Sequence, residues 1–122
     1  MLFLTSYTRN HHSSFYAASH GQHYRNILNE AAQRLPIFVT EWGTQTYTGD
    51  GLNDFDSARA YIQLMNLHKI SWINWNYSDD FRSGAVWQPG TCLQNSDWGE
   101  MQLKQAGYWI KNQIKITKRN RL

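Results

Sequence analysis

Residues Leu35-Pro36-Ile37-Phe38-Val39-Thr40-Glu41-Trp42-Gly43 constrain the rest of the chain more than any other stretch. Leu35 to Val39 is an unbroken apolar run with β-branched and aromatic members, which reads as a strand over 35–41 buried on both faces. A carboxylate, an indole and a glycine that lets the chain turn follow in succession. An acid at the carboxyl end of a buried parallel strand stands where α/β folds place their chemistry. The same position suits a structural ion pair, so the strand alone leaves two readings open.

The flanks repeat one alternation. From Gln22 to Arg34, Tyr24, Ile27, Leu28, Ala31 and Ala32 fall on one face of a helix. Thr44 to Asn53 is a polar loop, and Asp54 is a candidate N-cap. Phe55, Ala58, Ile62 and Met65 mark a second helix to about His68. Ile70 to Trp75 reads as another strand. Asn76 to Asp97 is a long loop broken at Ser83-Gly84, Pro89-Gly90 and Asn95-Ser96. Leu103, Ala106, Gly107, Ile110 and Ile114 predict a last helix from Glu100 to Ile114. Ahead of all this, Phe15-Tyr16-Ala17-Ala18 reads as the end of a strand, and residues 1–14 as an irregular segment. Strands alternating with helices imply a parallel sheet. Three such units are part of an eight-stranded barrel or of a doubly wound sheet. No glycine-rich phosphate loop follows any strand, which counts against nucleotide folds.

Composition narrows the function. A chain of 122 residues is one small domain or part of a larger one. Its single Cys, Cys92, rules out an internal disulfide framework. Six Trp and seven Tyr accompany a mean hydropathy of −0.65, so many rings are expected in half-wet places. Such rings stack on flat ligands. The net charge of +3 is local: four of the twelve Lys and Arg lie in the last eight residues, leaving eight against nine acids. Residues 115–122 therefore read as a solvated basic tail, with no nucleic acid expected as partner. No apolar run is long enough to span a bilayer, and Met1 to Leu4 is too short for a signal peptide, so neither a membrane nor an export address is expected.

Three strand ends carry Tyr16, Glu41 and Trp75, which a barrel would bring to one face. A carboxylate, a phenol and an indole in one cleft suit carbohydrate chemistry. The carboxylate can attack or stabilise an oxocarbenium-like centre, and the indole offers an apolar plate to a pyranose. The phenol can donate a hydrogen bond that keeps the carboxylate ionised. His11, His12, His20, His23 and His68 give no metal-ligand spacing with a third member.

Ile37 to Gly43, Ile70 to Asn76 and Phe15 to Gly21 together resemble the C-terminal third to half of a family 5 glycoside hydrolase, most nearly a bacterial endoglucanase (cellulase), over residues 15–114. The resemblance implies the C-terminal part, about strands 6–8 with their helices, of a (β/α)8 TIM barrel. It implies a retaining mechanism in which Glu41 is the nucleophile, Tyr16 hydrogen-bonds it, and Trp75 stacks on the sugar. Asp79, Asp80 and Trp87 would line a neighbouring subsite. No metal or organic cofactor is implied. The partner is a β-glucan polysaccharide or oligosaccharide, and the parent enzyme would be secreted. Three departures accompany the match. The acid/base Glu, which in the family follows an Asn after strand 4, has no counterpart here; Ser14 stands where the family has His; Asp80 aligns where many relatives carry Lys. A truncated or frame-shifted gene upstream of Phe15 is the expected origin of the first two. Lacking the N-terminal barrel half, the fragment is expected to be inactive alone and to leave strand edges open and an inner face uncovered. A non-catalytic sugar-binding fragment, and mannanase or xylanase specificity, are the alternatives.

Overall fold

A computed structural model describes the backbone of residues 2–5 and 20–25, and backbone and side chains of residues 26–45, 52–93 and 98–119. The order is β1 (Leu2–Thr5), α1 (His20–Arg34), β2 (Ile37–Trp42), α2 (Phe55–Leu67), β3 (Ser71–Asn74) and α3 (Gln105–Arg119). Short 3₁₀ turns at Thr91–Leu93 and Glu100–Gln102 precede α3. The strands form one parallel sheet in the order β1-β2-β3. Helices between sequential parallel strands are the crossover arrangement that the alternation predicts.

Local chemistry accounts for the boundaries. Asp54 caps α2, its side chain accepting from the Ser57 N–H at 2.9 Å, as the sequence predicts. Ala58, Ile62 and Met65 of the predicted stripe are buried, and Tyr61 joins them. The last helix starts five residues later than expected, because Glu100–Gln102 is a separate turn. It also runs on to Arg119, so residues 115–119 of the expected tail are helical. The cations Lys118 and Arg119 fall in its last turn, where the helix dipole favours positive charge.

The first strand is a second correction. The expected irregular segment 1–14 contains β1, whose Leu2, Phe3 and Leu4 pair with Ile37, Phe38 and Val39. A short apolar run suits the edge of an apolar strand better than water. The strand end expected at Phe15–Ala18 lies outside the described residues.

The core lies between the sheet and its helices. Ile37, Val39 and Trp42 of β2 pack with Leu28 of α1, Ala58, Tyr61, Ile62 and Met65 of α2, Ile70, and Ile110 of α3. Trp42 is wholly buried and meets Tyr61, Trp72 and Trp109 edge to face at 5.7, 5.2 and 6.3 Å between centroids. The opposite side of β2 is different. Phe38, Thr40 and Glu41 are only half-buried, so the strand is buried on one face, not on both. Among the described residues no layer covers that second face.

Candidate active site

The acid owes its orientation to an irregularity in β2. Strict alternation from Ile37 and Val39 would place residue 41 on the helix-covered face. The pairing shifts register between Leu4 and Thr5 on β1 and between Val39 and Trp42 on β2. Trp42 thereby joins Ile37 and Val39 in the core. Glu41, its neighbour, is left half-buried on the opposite, open side. Register shifts of this kind re-aim a side chain and recur beside active sites.

Trp75 sits on the same rim. Its N–H and the Asn74 side-chain amide both donate to the Trp42 carbonyl, one residue past Glu41. Gly43 makes the approach possible, since a Cβ there would collide with the Trp75 carbonyl oxygen. Trp75 is 41% exposed. The ends of β2 and β3 thus meet at the Trp42 carbonyl, one residue past Glu41, with Trp75 one residue beyond the end of β3. Tyr16, the third member of the expected group, lies outside the described residues.

The loop after β3 is ordered by its own polar groups. Asp80 accepts from Arg82 Nη2 at 2.6 Å, Arg82 Nε at 3.1 Å, the Arg82 N–H at 2.9 Å and Asn76 Nδ2 at 3.1 Å. Burial works against its ionisation, but these donors and the guanidinium charge outweigh it and hold the carboxyl at about 2. Asp79 accepts from the Cys92 N–H at 2.9 Å, which keeps its pKa low as well. Both expected subsite carboxylates therefore act as ties within the loop and are ionised at neutral pH.

Trp87 is enclosed. It is only 6% exposed, packed with Val86 and Leu103 and wedged edge-on between Tyr77 and Trp98. An indole so enclosed anchors the loop and presents no open plate; Tyr77 and Trp98, 70% and 49% exposed, are the wetter rings.

Three supporting residues escaped the sequence reading. Lys104 Nζ donates to the carbonyls of Asp80, Phe81 and Arg82 at 3.2, 3.4 and 2.6 Å, gathering the loop onto the start of α3. Burial lowers its pKa against the opposing pull of Asp80. Gln45 is buried and fills the space that Gly84 leaves, where a Cβ would come within 2.6 Å of its Oε1. A lysine beside a helix stripe and a lone Gln carry no sequence signal of such roles. His68 hydrogen-bonds Asn29 at 2.6 Å, tying α2 to α1.

Residues 5–81 match the model of the cellulase family, glycosyl hydrolase family 5. Over 102 residues, 83% of this chain, the sequence is 60% identical to endoglucanase MaCel5A of Microbulbifer sp.. It is 57% identical over 100 residues to endoglucanase E-5 of Thermobifida fusca. The chain spans only about a fifth of the length of these curated relatives. The fold superposes with a TM-score of 0.70 on the crystal structure of the catalytic domain of Thermobifida fusca endoglucanase Cel5A in complex with cellotetraose. That likeness has 54% sequence identity and covers 76% of this chain and 30% of the domain. With a rim acid and indole inside the matched segment, and the family model covering more than half its length, the chain belongs to the glycosyl hydrolase family 5 cellulases.

Proposed function

We propose that this chain is the C-terminal portion, about strands 6–8, of a retaining endo-β-1,4-glucanase barrel, with Glu41 as its nucleophile. The cellulase domains of this family are TIM barrels, whose chemistry sits at the carboxyl ends of the strands. The observation that supports the proposal is the register shift between Val39 and Trp42, which spans Glu41 at the end of the strand next to Trp75.

The chemistry needs two carboxyl groups. A Glu41 carboxylate oxygen forms a bond to the anomeric carbon as the bond to the leaving oxygen breaks. A second carboxylic acid, roughly 5–5.5 Å away, protonates that oxygen, and water then releases the sugar from the glycosyl-enzyme. Asp79 and Asp80 are poor choices for the acid, because both are held ionised. Glu100 is paired with Lys111. The acid would come from outside this chain, and the chain alone would not turn over. Trp75 would support one pyranose face, and Tyr16 would orient Glu41. The substrate would be a β-glucan, as the names of the relatives indicate.

A direct test fuses residues 2–119, which hold all three strands of the sheet, behind the N-terminal part of the Thermobifida fusca catalytic domain, completing the barrel. The fusion should release reducing ends from carboxymethylcellulose, while Glu41→Gln should fall to background. A 2-deoxy-2-fluoro cellobioside with a good leaving group should label the peptide containing Glu41. Turnover that survives Glu41→Gln, or a label elsewhere, would refute the assignment. Preference for mannan or xylan would keep the nucleophile and change the substrate.

A further inference from the structure

We propose that Lys104 is a positioning residue for glucan binding: by gathering the loop after β3 it fixes where the Trp75 ring stands. The inference rests on the reading of Trp75 as the support of one pyranose, and adds the group that holds that ring in place.

Trp75 is pinned from two sides. On its N-terminal side, its own N–H donates to the Trp42 carbonyl of β2. On its C-terminal side, the next residue, Asn76, is held at three points. Its side-chain amide donates to Asp80 Oδ2 at 3.1 Å, and its side-chain oxygen accepts from Ser78 Oγ at 2.7 Å. Its backbone carbonyl accepts from the Val86 N–H at 3.2 Å. The first pin belongs to the sheet. The second is only as firm as the loop that supplies its partners.

Lys104 is where those partners converge. Its backbone N–H donates to the Val86 carbonyl at 2.9 Å, and its ammonium donates to the carbonyls of Asp80, Phe81 and Arg82. Two of the three groups that grip Asn76, Asp80 and Val86, are thus held by one residue just ahead of α3. Three acceptors on successive residues use all three donors of an ammonium. Bonds to main-chain carbonyls fix the path of the backbone itself. Phe81, in the middle of the gripped triplet, is 80% exposed, so its ring does not pack this turn down and the polar ties do. Asp80 and Arg82 are bound to each other, so without the ammonium they move as a unit. Asn76 then loses a fixed partner, and Trp75 its second pin. A ring free to reorient binds a sugar more weakly, because ordering it offsets part of the stacking energy. The loss falls on KM more than on kcat, since the ring holds the sugar and breaks no bond.

The test uses the barrel-completing fusion carrying Glu41→Gln, so that cellotetraose is bound and not cut. Lys104→Met should weaken cellotetraose binding about fivefold by calorimetry. Lys104→Arg should restore part of the affinity. With Trp75→Ala already present, Lys104→Met should add nothing, because residues that act through one ring are not additive. In the fusion that keeps Glu41, KM for carboxymethylcellulose should rise by a similar factor while kcat changes less than about twofold. A further readout needs no fusion: in the full chain, the indole N–H resonance of Trp75 should shift in Lys104→Met while that of the core ring Trp42 stays. An affinity indifferent to Lys104→Met, an effect that adds in full to that of Trp75→Ala, or a Trp75 resonance that does not move overturns the proposal and leaves Lys104 a brace of the loop alone. A fusion that binds with the expected pattern and does not hydrolyse upholds Lys104 and counts against Glu41. Hydrolysis that requires Glu41 and ignores Lys104→Met does the reverse. A fusion that binds no cellotetraose overturns both.

Discussion

At the end of β2, Trp42 is wholly buried and makes its contacts ring to ring. A few residues past β3, the Asp80 side chain is 25% exposed and makes its contacts as an ion to hydrogen-bond donors. The two regions border the same rim. The first is apolar, spans all three helices and both β2 and β3, and does not depend on protonation. The second is local, binding residues 76–82 to one lysine of the following helix approach. Packing of the first kind sets whether the chain folds at all. Polar ties of the second kind set the shape of a loop that can open while the core holds.

The largest effect should come from breaking the apolar side. Trp42→Ala removes a ring that touches Tyr61, Trp72 and Trp109 at once. A loss of about 3–5 kcal/mol is expected, enough to unfold a small chain with uncovered edges. Trp42 Nε1 has no hydrogen-bond partner among the described residues, so the ring is held by packing alone. Trp42→Phe should therefore keep the fold, with urea unfolding showing a loss well below that of the alanine variant.

Acid should act on the other side. Asp80 titrates at about 2 in the fold, against an ordinary value of 3.8. A carboxyl whose folded pKa is depressed adds stability above its unfolded pKa and loses it as pH falls through the folded one. The contribution should thus be intact above about pH 4 and disappear towards pH 2. Its size should be on the order of 1 kcal/mol once solvent screening is allowed for. Asp79 shifts in the same direction through the Cys92 N–H. Asp80→Asn should flatten the acid limb of a stability–pH curve while leaving the neutral plateau of intrinsic tryptophan fluorescence in place. An unchanged limb would mean that the loop does not draw on this ion pair.

What the sequence disclosed divides along the same line. The α2 stripe, the Asp54 cap and the strand carrying Glu41 were readable because periodicity and capping are local and apolar. Burial of β2 on both faces was misjudged, because an apolar run cannot tell whether a covering layer is present. The orientation of Glu41 was equally hidden, since a register shift belongs to the pairing of strands and leaves no mark on one strand's own pattern. The enclosure of Trp87 was hidden for a related reason: exposed and enclosed indoles look alike until Tyr77 and Trp98 are seen to flank it. Helix termination at Ile114 followed from the end of the apolar stripe, but Lys118 and Arg119 stabilise the helix by charge at its C-terminus.

The smallest expected effect is the most informative about the loop. Lys104→Met keeps the aliphatic stem and removes the ammonium that gathers the carbonyls of Asp80, Phe81 and Arg82. Those carbonyls lie near solvent, with Phe81 80% exposed, so water can replace much of what is lost. Global stability should fall by no more than about 1 kcal/mol. Locally the loop should loosen, and amide exchange at Arg82 and Val86 should quicken at least about tenfold while that of Val39 and Met65 stays put. Lys104→Arg should restore part of the protection, because a guanidinium can still donate to two carbonyls. Equal acceleration in the core and the loop would show that the two regions open as one unit, and the contrast between them would not hold.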